Sequence, residues 1–147
     1  MACEQGLKNK LGCILFQFPP SIHYSEEKLQ QITTGLNPSF NNVIEFRHKS
    51  WWIKKVYDEL TKSKITFCSV SYPDLPDTII ATTKTVYLRL HGNSKLFYSN
   101  YTNEELNQLH QSVLNATKFK EAYIYFNNTA STAGVLNAQQ LQKIIHS

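Results

Sequence analysis

The sequence predicts an α/β fold of about five parallel strands with flanking helices, and three observations predict it. Short apolar runs alternate with stretches of helical periodicity along the chain. Those runs are nearly continuous in apolar character, as strands buried on both faces are, which argues for parallel pairing through right-handed crossovers. The length of 147 residues suits one domain or part of one. With 12% aromatic and 18% charged residues, the composition excludes disordered, collagen-like and coiled-coil chains.

The first strand is expected over 13–18, stopped by Pro19 and Pro20, since proline removes a ladder donor and restrains the residue before it. A helix follows, capped by Ser25 and favoured by Glu26 and Glu27 at its positive end. Its stripe is Leu29, Ile32 and Leu36, and it ends near Gly35 and Pro38. The second strand covers 43–47. Ser50 is expected to cap the second helix, with Ile53, Val56, Tyr57 and Leu60 on one face and Lys62 and Lys64 at its close. A third strand covers 65–71, after which Pro73 and Pro76 disfavour a helix before residue 80. The fourth strand is 85–90, and an aromatic loop spans 92–101. Thr102 and Glu105 form a capping box ahead of a helix with Leu106, Leu109, His110 and Val113 on one stripe. The fifth strand is 122–126, and a last helix centres on Leu141, Ile144 and Ile145.

Glycine separates the architectures open to such a pattern. The five glycines are isolated, so neither the dinucleotide-binding fingerprint nor a phosphate-binding P-loop is present. A closed barrel of eight units uses about 31 residues per unit, so a chain of this length holds about five. The prediction is one domain, residues 1–147, forming an incomplete TIM-type barrel.

Charge and cysteine content bound the setting. The net charge is +4, from 15 Lys and Arg against 11 Asp and Glu, but the basic residues are scattered, with no tract of five or more, and make no nucleic-acid footprint. No apolar run approaches the roughly 18 residues that cross a bilayer, so no membrane association is expected. Cys3, Cys13 and Cys68 are an odd number without a C-x-x-C pair, and residues 1–10 carry Glu4, Lys8 and Lys10 rather than an export signal. Reduced thiols in a cytoplasmic protein are the expectation. His23, His110 and His146 read as surface or boundary residues.

Side chains alternate along a strand, so parity sorts each run into a helix-facing and an inner set. The first strand opposes Ile14, Phe16 and Phe18 to Cys13, Leu15 and Gln17. The second opposes Ile44 and Phe46 to Val43, Glu45 and Arg47. The fourth opposes Val86, Leu88 and Leu90 to Tyr87, Arg89 and His91, and the fifth opposes Ile124 and Phe126 to Tyr123, Tyr125 and Asn127. Barrel interiors are ordinarily branched and apolar, and burying Glu45, Arg47 or Arg89 unpaired would cost several kcal/mol each. They must pair with one another, as a network holding register, or meet solvent or a ligand. The polar groups Gln17, Arg47, His48, His91, Asn127 and Asn128 gather at the carboxyl ends of the runs, where barrel enzymes build their sites.

Four segments carry a family resemblance: residues 11–21 through Gln17-Phe18-Pro19-Pro20, then Glu45-Phe46-Arg47-His48-Lys49-Ser50-Trp51, Tyr87-Leu88-Arg89-Leu90-His91-Gly92, and Tyr123-Ile124-Tyr125-Phe126-Asn127-Asn128. In order and spacing they resemble the YecE-like domain-of-unknown-function family, number seventy-two, over nearly the whole chain. The resemblance implies a TIM-type barrel whose fourth to eighth strands are these five, with about one hundred residues carrying strands one to three absent. Lys49 departs from the family's usual proline, and Thr129 stands where an acidic residue is common. The family brings no established reaction.

Three functional readings stand side by side. In the first, an enzyme-like pocket binds an anion. Arg47 and Arg89 offer planar forks for phosphate or carboxylate, and Glu45 with His48 or His91 supplies acid–base groups. Gln17, Asn127 and Asn128 orient the ligand. A metal held by Glu45, His48 and His91 would lack local ligand spacing, so no metal or cofactor is expected. In the second, the aromatic residues Trp51 and Tyr98, beside the arginines, stack nucleotide bases; Trp52, Phe97 and Tyr101 read better as packing. In the third, the chain is a truncated, inactive relative that self-associates through its open sheet edges.

Overall fold

The computed structural model describes residues 6, 7, 10–92, 95–116 and 119–147. Its elements run β1 (Ile14–Phe18), α1 (Glu26–Gly35), β2 (Asn42–Phe46), a 3-10 turn (Lys49–Trp51), α2 (Lys54–Lys62), β3 (Thr66–Ser71), β4 (Thr85–Leu90), α3 (Asn103–Asn115), β5 (Glu121–Phe126) and α4 (Ala133–Ile145). The five strands form one sheet in the order β1-β2-β3-β4-β5, and every neighbouring pair is parallel. The α/β class and the strand count agree with the sequence reading. The strands begin or end within a residue of their expected limits.

Parity holds across the sheet. Helix-facing Ile44, Phe46 and Phe67 pack with Leu29, Val56, Leu60 and Ile65 beneath α1 and α2. Leu88, Leu90, Tyr101 and Leu106 form the corresponding cluster by α3, with Ile124 and Phe126 packed against it. The inner face gathers Val43, Cys68, Val70 and Tyr87, with Cys13, Leu15 and Tyr123 against them. Every residue of β2 and β3 is buried, whereas β1 and β5 are half-buried or exposed, because each of these outer strands has a neighbour on one side only.

Local signals account for most element ends. The Ser25 hydroxyl accepts from the Lys28 N–H, and Thr102 with Glu105 forms a reciprocal capping box, each cap contributing about 1 kcal/mol. No helix joins β3 to β4. Instead an extended segment is pinned to β3: the Ser69 hydroxyl accepts from Ile80 N–H, and the Thr82 hydroxyl accepts from Phe67 N–H and donates to the Ile65 carbonyl. At the end of β4, Gly92 adopts φ +102, and a Cβ there would lie 2.6 Å from the Lys95 carbonyl oxygen, so the turn requires glycine.

One cap differs from expectation. Ser50 does not start α2; it lies inside the 3-10 turn, whose cap is His48, and α2 begins after Ile53. The Ser50 hydroxyl is committed elsewhere, accepting from the Tyr24 N–H and contacting His48 Nδ1. Cys3 lies outside the described residues.

Candidate functional site

Three strands deliver the polar cluster at their carboxyl ends. Gln17 of β1 lies in register with Glu45 of β2, Arg47 follows two residues later, Arg89 projects inward from β4, and His91 follows it. Glu45 is fully buried and bridges both guanidinium groups. Arg47 Nε donates to its Oε1 at 2.8 Å, and Arg89 Nη1 to its Oε2 at 2.5 Å. The two arginines also meet at Gln17, whose Oε1 accepts from Arg47 Nη2 at 2.8 Å and from Arg89 Nη1 at 3.2 Å. Burial alone would raise the Glu45 carboxyl, but the adjacent His91 and the two guanidinium groups outweigh it and hold it at about 2.

Two guanidinium cations against one carboxylate leave one guanidinium charge in surplus. Arg47 Nη1 and Arg89 Nε and Nη2 have no protein partner among the described residues. The side chains are 17% and 15% exposed, so these donors are within reach of the mouth. The Tyr72 ring lies 5.5 Å from the Arg47 guanidinium carbon. His91 is buried edge-on between Tyr72 and Phe97. Its Nε2 stands 3.5 Å from Glu45 Oε1, an ion-pair distance without hydrogen-bond alignment, and among the described residues neither ring nitrogen has a hydrogen-bond partner. The buried Cys68 thiol lies 3.9 Å from Glu45 Oε2; burial first, and that carboxylate second, push it well above the ordinary thiol value. Cys13 is likewise a free thiol, raised by burial and by Glu121.

The structure therefore brings together Gln17, Glu45, Arg47, Arg89 and His91. Other sequence candidates lie elsewhere. His48 is opposite in parity to Arg47, and its ring stacks on His23 at 3.8 Å. Trp51 corrects the stacking expectation: it is fully buried, stacked on Phe46 at 4.1 Å, and its Nε1 donates to the Ile22 carbonyl, so it is core. Asn128 is corrected likewise, because its Nδ2 is spent on the Ser99 carbonyl and Asn137 Oδ1 in a fully buried knot at the start of α4. Asn127 is half-buried and donates its backbone N–H to the Leu90 carbonyl. Tyr98 is 62% exposed, with the Lys95 ammonium 4.6 Å from its ring centre. His23 and His146 are exposed and His110 is half-buried, as expected.

Two contributors were missed from sequence. Tyr72 was not singled out from sequence, although it directly follows β3 at the same end as Arg47. Tyr101 was read as loop packing; its hydroxyl accepts from Gly92 N–H and donates to Ser71 Oγ, fixing the chain just after His91. Among the described residues, no group of three or more His, Cys, Asp or Glu is placed to hold a metal. A cavity of about 600 Å³ lies away from this cluster, on the outer side between β3, β4 and α3.

The model of a protein family of unknown function, DUF72, matches residues 1–147. The chain belongs to the DUF72 family. Solved DUF72 structures agree in fold. A protein from Thermotoga maritima superposes with a TM-score of 0.88 at 27% identity, over 99% of this chain and 64% of that one. One from Enterococcus faecalis gives 0.89 at 24% identity, over 100% and 62%, and another structure of that protein gives 0.84, over 100% and 65%. This DUF72 chain thus spans under two thirds of the length of those relatives, in keeping with an incomplete barrel. No functionally curated protein matched the sequence. Among the described residues, no helix of this DUF72 chain is long and apolar enough to cross a membrane.

Proposed function

We propose that the mouth of this domain binds a small anion, a phosphate or carboxylate, in the fork of Arg47 and Arg89. The observation that carries the reading is the surplus positive charge: two guanidinium groups are aligned by one buried carboxylate and one amide oxygen, with donors left over. Alignment by Glu45 and Gln17 fixes both forks before a ligand arrives, which lowers the ordering cost of binding. Within this reading the proton-transfer role falls to His91 rather than His48, because His91 adjoins Glu45 and the arginines. A base-stacking role is less favoured, since Trp51 is core and Tyr98 alone of the two chosen rings is open.

The same reading treats residues 1–147 as one part of a TIM-type barrel, with β1 and β5 pairing further strands. The free Cys13 and Cys68 suit a reducing cytoplasm. Calorimetric titration at low salt with inorganic phosphate and with citrate tests the anion site. Arg89→Gln removes a charged donor worth about 1.5–3 kcal/mol, so affinity should fall tenfold or more. Absence of binding by either anion to the unaltered chain, or unchanged affinity in the variant, overturns the proposal.

A further inference from the structure

Beside the arginine cluster, the loops following β1 and β2 are fastened to each other by three contacts. Trp51 Nε1 donates to the Ile22 carbonyl at 2.8 Å, the Ser50 hydroxyl accepts from the Tyr24 N–H at 2.9 Å, and the His23 and His48 rings lie face to face at 3.8 Å and 13°. Within the second loop, His48 Nδ1 accepts from the Ser50 N–H at 3.2 Å and lies 2.8 Å from the Ser50 hydroxyl oxygen. A backbone N–H can only donate, so Nδ1 must keep its lone pair. The hydroxyl, already accepting from Tyr24, has its own hydrogen free to meet the same nitrogen. Both contacts therefore demand a neutral His48 with its proton on Nε2.

We propose that His23 and His48 form an acid-released clasp, closed while the His48 ring is neutral and opened when His48 takes up a proton. Protonation turns Nδ1 into a donor facing another donor and places a charge against the His23 ring. Among the described residues, the charged and titratable groups that bear on His48 offer that charge no partner. They are His23 from the first loop, Lys49 on the turn itself, and Lys28 of α1, whose ammonium is bound to the His23 carbonyl at 3.0 Å. Arg47, on the opposite side of the strand end, is paired with Glu45. Desolvation, then His23 and Lys49, push the His48 imidazole below the ordinary histidine value. A base lowered in the folded state keeps its contribution above the unfolded value of about 6.5 and loses it as pH falls through the lower folded one. The clasp is thus shut at neutral pH and released in mild acid.

His48 directly follows Arg47, whose N–H donates to the Phe18 carbonyl at 3.3 Å, so release loosens the chain that carries one arm of the fork. That last step rests on the anion reading; the clasp does not. NMR titration of the full chain from pH 7.5 to 5 tests it through the His48 C2 proton, the Tyr24 amide and the Trp51 indole N–H. The three signals should move together, with a midpoint below that of an ordinary histidine. His48→Asn keeps a side-chain acceptor for the Ser50 N–H but cannot titrate in this range, so the Tyr24 and Trp51 signals should stay at their neutral-pH positions. Tyr24 and Trp51 signals that ignore the His48 titration, or that move identically in His48→Asn, overturn the clasp. Phosphate affinity in the same buffers separates the two proposals. Weakening in acid that His48→Asn abolishes supports the link, equal weakening in both proteins removes it, and no phosphate binding at any pH sinks the anion site while the NMR result still decides the clasp.

Discussion

Glu45→Gln removes one charge from the centre of the arginine cluster with little change in volume. The Glu45 carboxyl is held at about 2 against an ordinary 4.5, and at about 1.4 kcal/mol per pH unit this displacement is worth about 3 kcal/mol. Removing one partner of a buried pair independently costs about 3–5 kcal/mol, because the remaining charge loses its counter-ion. Two guanidinium groups are left here, each having met a different carboxylate oxygen, and the new amide turns one of those oxygens into an NH2 donor facing a donor. Urea unfolding at pH 7 should therefore show a loss of about 3 kcal/mol with an unchanged denaturant slope. The pH dependence adds a second reading. A carboxyl lowered in the folded state stabilises fully above its unfolded value and loses that contribution as pH falls through its folded one, so the unaltered chain should weaken between about pH 4.5 and 2. Glu45→Gln should lack that part of the acid limb. A loss under about 1 kcal/mol, or an acid limb identical in the two proteins, would refute the view that Glu45 is the anionic keystone of the cluster.

Trp51→Ala should cost about 3–5 kcal/mol by opening a void against Phe46 and leaving the Ile22 carbonyl without its indole donor; urea unfolding measures this, and oligonucleotide affinity should not follow it if the ring is core. The open edges of β1 and β5 should make the chain associate as concentration rises, which light scattering would register as a growing mass, whereas a constant monomer mass would show these edges to be protected.

The strand-borne part of the site was legible because it follows a period-two rule. In parallel strands that end together, Gln17, Glu45 and Arg89 had to share the face opposite Phe16, Phe46 and Leu88, and the unpaired cost of Glu45 required the arginines to approach it. Legibility stopped where the strands stop. Trp51, His48 and Asn128 lie in connections whose side-chain directions depend on tertiary contacts, and there no spacing rule applies. A 3-10 turn swings Trp51 onto Phe46, and Asn137, nine residues further along, claims Asn128. Tyr72 illustrates the same limit from the other side. Its position after β3 was visible, but its approach to Arg47 depends on how the helix-free connection leaves the sheet.

That strand order in space equals strand order in the chain has a bearing on how the protein is made. Each ladder forms between consecutive segments, so a strand emerging from the ribosome finds its docking rail already laid by its predecessor. The sheet can lengthen in one direction at the pace of synthesis, with no later segment needing to wedge between two earlier ones.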